Sequence, residues 1–469
     1  MCLRVALANK DGDTVMKRAK LLSGVLILLI LVSAACGGGD NDTTVPKTAT
    51  LPPTLTPEAT ESSPIANLPA PSNGGLSLPE LAGIDGGLLI ARGGKLYLAW
   101  FGTEEPVLIA EEVAPVMIEP SPDGHAVVYT VGIAEERTGM DGVPYDHFEY
   151  RLTVTDLTTL NSARLVTVGS KRHIFATLLG FSPDSRTVLV WNSGAVIAAS
   201  ADGLNVQALA GARTVAWLPD NTALLFAPED PLVSDSPLAV FRVVPEFGPR
   251  ERVNISLDDS ASPDFLPLAG TLAARGLTYD SAAFHDFHRA APLPDGSWGY
   301  IEWSGAVKNM QAPPCATWKI KRTGSESPPG ILYTAEATSF LSDLTALPDG
   351  SLLFLKWTLD GCRLDGPMAV ELLHLVPGQE PVLITGEIDP GEQTNLNRIG
   401  YWQARKYTVT PDGRYVFWIG KGDVEGVSLV NVTDLQEDIT APLLADVVLP
   451  EGTGRFADVF WVSRPVEGE

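Results

Sequence analysis

One short pattern recurs along the chain and limits what it can become: an apolar stretch, then Pro-Asp-Gly or a near relative, then a β-rich apolar stretch. It reads SPDGHAVVYT at Ser121, SPDSRTVLVW at Ser182 and LPDNTALLFA at Leu218. It returns as LPDGSWGYIEW at Leu293, LPDGSLLFLKW at Leu347 and TPDGRYVFWIG at Thr410. Proline presets φ for the first central position of a type I turn, and Asp suits the next because its side chain bonds nearby backbone. Glycine then takes the left-handed position of the G1 bulge that closes a three-residue hairpin. Two copies depart at that last position. Asn221 tolerates the left-handed region, whereas Ser185 should be strained or use another turn.

After each turn comes a nearly continuous apolar run, such as Val127-Val128-Tyr129 or Leu352-Leu353-Phe354. Runs of that kind are strands buried on both faces. More strands follow in most copies, among them YRLTVTDL, AVIAAS, LAVFRVV, TWKIKR, VELLHLV and VSLVNV. The 44 Gly and 37 Pro spread along 469 residues favour many turns over long helices. The unit is a small antiparallel sheet, repeated, and the fold class is all-β.

Pro-Asp-Gly in the hairpin between the first two strands of a four-stranded blade resembles the TolB-like β-propeller repeat, over residues 84–464. That resemblance implies a ring of four-stranded antiparallel blades and says nothing of activity. GLLIARGGKLYLAW and PVLIAE supply three strands with no preceding turn motif, and FADVFWVSR supplies one lone strand. Joined, they complete a blade and close the ring at seven, with six and eight as the alternatives. Leu257–Ala283 has poorly defined strands and is read as a further blade or an insertion.

The N-terminus reads as an address. Met16, Lys17, Arg18 and Lys20 precede the apolar run Leu21–Val32, which ends in Ser33-Ala34-Ala35 before Cys36. A basic region, a short apolar core and small residues describe a secretory signal peptide, and the run falls short of the roughly 20 apolar residues of a span. Small residues before Cys36, then Gly37-Gly38-Gly39-Asp40, resemble the lipobox of bacterial lipoproteins, with Ser33 where Leu is commonest. The resemblance implies cleavage before Cys36 and a diacylglycerol on its thiol. Residues 1–35 are thus read as the signal, starting at Met16, with an uncleaved signal anchor as the alternative. Residues 36–75, rich in Pro, Thr and Ser, are a disordered tether, and 76–469 are the propeller. The expected location is a bacterial cell membrane, facing outside the cytoplasm.

The formal net charge of −24 argues against nucleic acid or anionic lipid as a partner. With Cys2 before the expected start and Cys36 lipidated, Cys315 and Cys362 remain, each after the second strand of neighbouring blades. Outside the cytoplasm such a pair reads as a disulfide worth about 3–4 kcal/mol, or else as two separate buried thiols. The longest loops also follow second strands, starting at Gly132, Pro228, Ser304 and Thr358. Insertions gathered on one face mark a working face. The first loop, with Asp141, Tyr145, Asp146, His147 and Glu149, is the candidate binding face, or else a solvated hydrophilic loop.

Catalytic and nucleotide motifs are missing: there is no Gly-x-Ser-x-Gly, no Walker loop and no HExxH. His285, Asp286 and His288 are weak metal candidates, since spacing of three suits a helix face while their surroundings read as loop or strand entry. No cofactor is implied. The expected function is a membrane-tethered binding or scaffold module for protein, peptide or glycan. The alternative is a polysaccharide lyase or hydrolase using His and carboxylate groups at the channel mouth.

Overall fold

The computed structural model describes residues 76–465, except 104, 139–143, 171–172, 175, 193–194, 210–213, 218–219, 229–237, 244–250, 254–286, 296, 305–316, 323–329, 360–367, 390–404, 422–427 and 444–457. The signal segment, Cys36, the tether, Asp141, Leu257–Ala283, His285, Asp286, Cys315 and Cys362 lie outside the described residues.

The first strands are β1 (Gly87–Arg92), β2 (Lys95–Trp100) and β3 (Val107–Ala110). Next come β4 (Val113–Pro120), β5 (Ala126–Thr138), β6 (Pro144–Asp156), β7 (Ser162–Ser170) and the short β8 (His173–Ile174). A third group is β9 (Ala176–Phe181), β10 (Thr187–Asn192), β11 (Ala195–Ser200) and β12 (Val206–Leu209). It is followed by β13 (Thr214–Trp217), β14 (Ala223–Pro228), β15 (Leu238–Val243) and β16 (Glu251–Val253). Then come β17 (Phe287–Pro292), β18 (Trp298–Ser304), β19 (Thr317–Arg322) and β20 (Gly330–Thr334). The next group is β21 (Ser339–Ala346), β22 (Leu352–Leu359), β23 (Met368–Leu375) and β24 (Val382–Thr385). The last is β25 (Tyr407–Val409), β26 (Tyr415–Lys421), β27 (Ser428–Asp434) and β28 (Ile439–Pro442), with β29 (Asp458–Val462) at the end.

Each group pairs antiparallel in sequence order, and β29 pairs with β1, Leu89 facing Phe460. All described sheets have four strands except the one ending in β8, which has five. The fold is all-β, as expected. Every Pro-Asp-x turn joins the first two strands of its sheet, so the connections between second and third strands lie at the opposite end. Among the described side chains the runs after the turns are buried on both faces: Val127 and Val128 are fully buried, as are Leu352, Leu353 and Phe354.

The turn chemistry is uniform and comes in two forms. Where Ser or Thr precedes Pro, its hydroxyl donates to the Asp carboxylate: Ser121 to Asp123 and Ser182 to Asp184, both at 2.6 Å, and Thr410 to Asp412. Where Leu precedes Pro, the hydroxyl comes from two residues after the Asp. Thr222 donates to Asp220 at 2.5 Å, while Ser297 and Ser351 donate to Asp295 and Asp349 at 2.6 Å. In each copy the same carboxylate oxygen also accepts a backbone N–H two residues on.

Ser185 keeps this turn rather than finding another. Its φ is 62°, beside 63° at Asn221 and 74° at Gly124. A non-glycine there costs about 1–2 kcal/mol. The offset comes from the preceding repeat: Asp123 N–H donates to Ser185 Oγ at 3.1 Å, and Asp184 N–H donates to Asn221 Oδ1 at 2.9 Å. The two side chains that break the glycine rule tie one turn to the next. Gly124 has no such freedom, because a Cβ there would overlap the carbonyl oxygen of Ser463, just past β29.

Apolar packing gathers between neighbouring sheets. One cluster joins Trp318, Phe340 and Trp357, the last two stacked at 5.4 Å. Another lies between β25–β28 and the β29–β1 sheet. There Phe101 stacks on Phe417 at 5.2 Å, Trp461 lies 6.2 Å from Phe417, and the entering segment buries Leu76, Leu78, Leu81 and Ile84. That segment bonds across both sheets, Leu76 N–H to the Pro442 carbonyl at 2.8 Å and Gly102 N–H to the Leu78 carbonyl at 2.8 Å.

Because Asn221 does for Asp184 what Ser185 does for Asp123, Ser185→Asn should leave the urea midpoint unchanged. Ser185→Ala, which keeps the left-handed backbone and loses the acceptor, should lower stability by about 1 kcal/mol.

Candidate functional site

Beyond its neighbours, the β5–β6 hairpin continues as a ribbon. Its register runs from Ala126 opposite Asp156 to Thr138 opposite Pro144. The β4 partner stops at Val131, and β7 stops at Glu149. Gly132–Thr138 and Pro144–Tyr150, read from sequence as loop, are therefore strand. A polar stretch such as Glu135-Glu136-Arg137 carries no apolar alternation, yet its backbone pairs across the hairpin residue by residue. Tyr145, Asp146 and His147 stand in β6 opposite Arg137, Glu136 and Glu135.

Glu149 roots the ribbon. Its residue is 8% exposed, and its Oε1 accepts from Arg151 Nε at 3.0 Å, Arg164 Nη2 at 3.0 Å and Thr167 Oγ1 at 2.7 Å. The bonds from Arg151 and Thr167, with the two guanidinium charges, outweigh burial and hold its carboxyl down to about 2. A carboxylate so saturated is a poor general base at neutral pH; it fixes β6 to β7. A depressed native value means stability present above the ordinary carboxylate range and lost as pH falls toward 2. Glu149→Gln should cost about 2 kcal/mol at pH 7 and flatten the wild-type loss between pH 4.5 and 2 in a denaturation series.

Ser351, His374 and Asp349 bring together the side chains of a hydrolytic triad in an order that cannot work as one. Ser351 Oγ donates to Asp349, so His374 Nε2, 2.8 Å away, must donate to Ser351 Oγ. An activated serine needs the reverse, with imidazole taking its proton and carboxylate orienting the imidazole. The other Leu-Pro-Asp copies explain the arrangement. Arg242 Nε donates to Thr222 Oγ1 and Arg322 Nε to Ser297 Oγ, each at 3.0 Å, and their Nη2 atoms reach Asp220 and Asp295. Arg242, Arg322 and His374 hold the same register position on the third strand, opposite Leu224, Gly299 and Leu353. Burial lowers the pKa of His374, with Asp349 opposing. His374→Arg should therefore keep the melting temperature within about 2 °C, while His374→Ala should lower stability by about 1 kcal/mol.

A second polar centre, unforeseen from sequence, sits where three first strands meet. Asp343 in β21, Arg405 and Lys406 just before β25, and Asp458 at the start of β29 come together. Arg405 N–H donates to Asp458 Oδ1 and its Nη1 to Asp343 Oδ1, both at 3.0 Å. Asp343, Lys406 and Asp458 are each at most 2% exposed. Asp389 lies electrostatically close to both Lys406 and Arg92. Its signal in the sequence is a lone Asp within SFLSDLTA and another at the head of the apolar strand DVFWV.

A concave region of about 690 Å³ lies against Arg186, Thr187, Asp202 and Gln207. The Asp202 carboxylate there already accepts from Ser200 Oγ at 2.5 Å and Leu204 N–H at 2.9 Å. Among the described residues no group of three or more His, Cys, Asp or Glu is placed to hold a metal ion. His288 lies in β17.

No protein-family model matches the chain, and no curated protein matches it. Solved structures do. TolB from Acinetobacter baumannii is 12% identical over 82% of this chain and 69% of that one, with a TM-score of 0.39. Oligogalacturonate lyase from Vibrio parahaemolyticus is 15% identical over 77% and 88%, TM-score 0.42. The β-propeller domain of the trilobed protease from Pyrococcus furiosus is 10% identical over 70% and 83%, TM-score 0.33.

Proposed function

We propose that this chain is a seven-bladed β-propeller, tethered by lipid on Cys36 to the outer side of a bacterial cell membrane. It binds protein, peptide or glycan at the end opposite the Pro-Asp-x turns. The observation that carries this reading is the ribbon, which runs past β4 on one side and past β7 on the other. A two-stranded ribbon is marginally stable alone in water and gains by pairing with or covering something else. Its root is fixed by Glu149, so it leaves the sheet in a defined direction. Pairing of β29 with β1 supports closure of the ring by strands from both ends of the domain. The basic, apolar and small-residue order before Cys36 supports the anchor, and an oxidising surroundings would let Cys315 and Cys362 form a bridge.

The test has two arms. The unit from Pro64 onward, set against envelope proteins and an envelope glycan array, should retain a ligand. A variant whose residues 133–148 are replaced by an Asn-Gly turn should lose that ligand with an unchanged melting temperature. Retention by the ribbonless variant would sink the binding-face reading. Separately, Cys36→Ser should release the full chain from membranes and abolish palmitate labelling; a Cys36→Ser product still held at the membrane counts against the lipid anchor.

A further inference from the structure

The last strand meets its neighbour across a buried charged centre. Val459 N–H donates to the Arg405 carbonyl at 2.9 Å, and Trp461 N–H donates to Thr408 Oγ1 at 2.9 Å. Arg405 N–H also donates to the Asp458 carboxylate. Across this seam Asp458 faces Lys406 and Arg405 from the β25 side and Asp343 from β21. Lys406 in turn faces Asp389, and Asp389 faces Arg92 at the end of β1. Three cationic and three anionic groups thus share one centre, with the lysine and two of the carboxylates at most 2% exposed. A proton gained or lost at Lys406, Asp343 or Asp458 changes a charge that is held away from water.

We propose that the contact between β29 and β25 is a pH-sensitive latch, tight in mildly acidic surroundings and looser near neutrality, with Asp458 as its titrating group. The bond from Arg405 N–H to Oδ1 survives protonation at Oδ2, so the neutral form keeps that contact without a buried anion. Burial, only partly offset by Lys406 and the Arg405 N–H and reinforced by Asp343, pushes the Asp458 carboxyl up to about 6. A raised native value gives stability that is fully present below the unfolded value, 3.8, and is lost as pH rises through about 6. Lys406 acts in the opposite sense: burial lowers its pKa, so its contribution grows as pH rises. The two effects separate by substitution.

Hydrogen exchange of the full chain, expressed as protection factors, reads the latch directly. From pH 5 to 7.5 protection of the Val459 and Trp461 amides should fall about tenfold, while that of β22 amides stays level. Asp458→Asn mimics the neutral carboxyl and should hold β29 protection at its pH 5 value throughout. Lys406→Met removes the main group favouring the carboxylate, so the midpoint of the fall should move to higher pH. A flat wild-type profile overturns the proposal even if either variant fails to fold. So does a fall that persists in Asp458→Asn, or a midpoint that Lys406→Met leaves in place.

Discussion

One carboxylate oxygen in each Pro-Asp-x turn accepts a hydroxyl and a backbone N–H together, and the sheets are organised around that bond pair. It fixes the reversal between the first two strands, and with it which residues of both strands face each other. The hydroxyl has two sources because the residue before Pro is buried in either form. Ser121, Ser182 and Thr410 are buried there and supply the donor themselves. Leu293 and Leu347 fill the core instead, and the hydroxyl crosses to the far side of the turn. In that second form the hydroxyl also accepts from Arg242, Arg322 or His374, so the third strand is tied to the same turn. Where Thr410 leads, Arg414 reaches the third strand in the other direction, with Nη2 donating to Asp434 at 2.8 Å. A single motif therefore positions three strands.

That local chemistry is why the strand order was legible. Pro, Asp and Gly act within a few residues of themselves, and the apolar runs after them are buried on both faces. The three strands before the first turn motif and the lone strand after the last were readable by the same logic and pair in one sheet. What escaped depended on partners far away in sequence. Ser185 looked strained because the residue that relieves it, Asp123, lies 62 positions earlier. The ribbon looked like loop because Glu135-Glu136-Arg137 has no apolar period to announce a strand. The five-stranded sheet was missed because β8 is two residues long.

The candidate site was less legible than the fold for the same reason. In the sequence Glu149 reads as a binding group in a polar loop. Its geometry makes it the fixed root of the ribbon, because Arg151, Arg164 and Thr167 converge on one oxygen. Ser351, His374 and Asp349 would tempt a catalytic reading in isolation. Comparison with Arg242 and Arg322 at the same register removes it, since a guanidinium can only donate. Internal repetition thus supplies a control that a single site lacks.

The seam beside β29 divides its labour between apolar and charged groups. On one face of β29 Trp461 stacks with Phe101 and Phe417, and Leu76, Leu78 and Leu81 cover them. Aromatic pairs of this kind give about 0.5–1.5 kcal/mol each beyond the area they bury, but they tolerate small slips along the strand. On the other face Asp343, Arg405, Lys406 and Asp458 add little net stability, because removing such charges from water costs about what their pairing returns. Their contribution is register. A one-residue slip of β29 would move Asp458 away from Arg405 and Lys406 and leave its buried carboxylate without an opposite charge, at a cost of about 3–5 kcal/mol. The apolar side thus holds the last strand in, and the charged side decides where along the seam it sits.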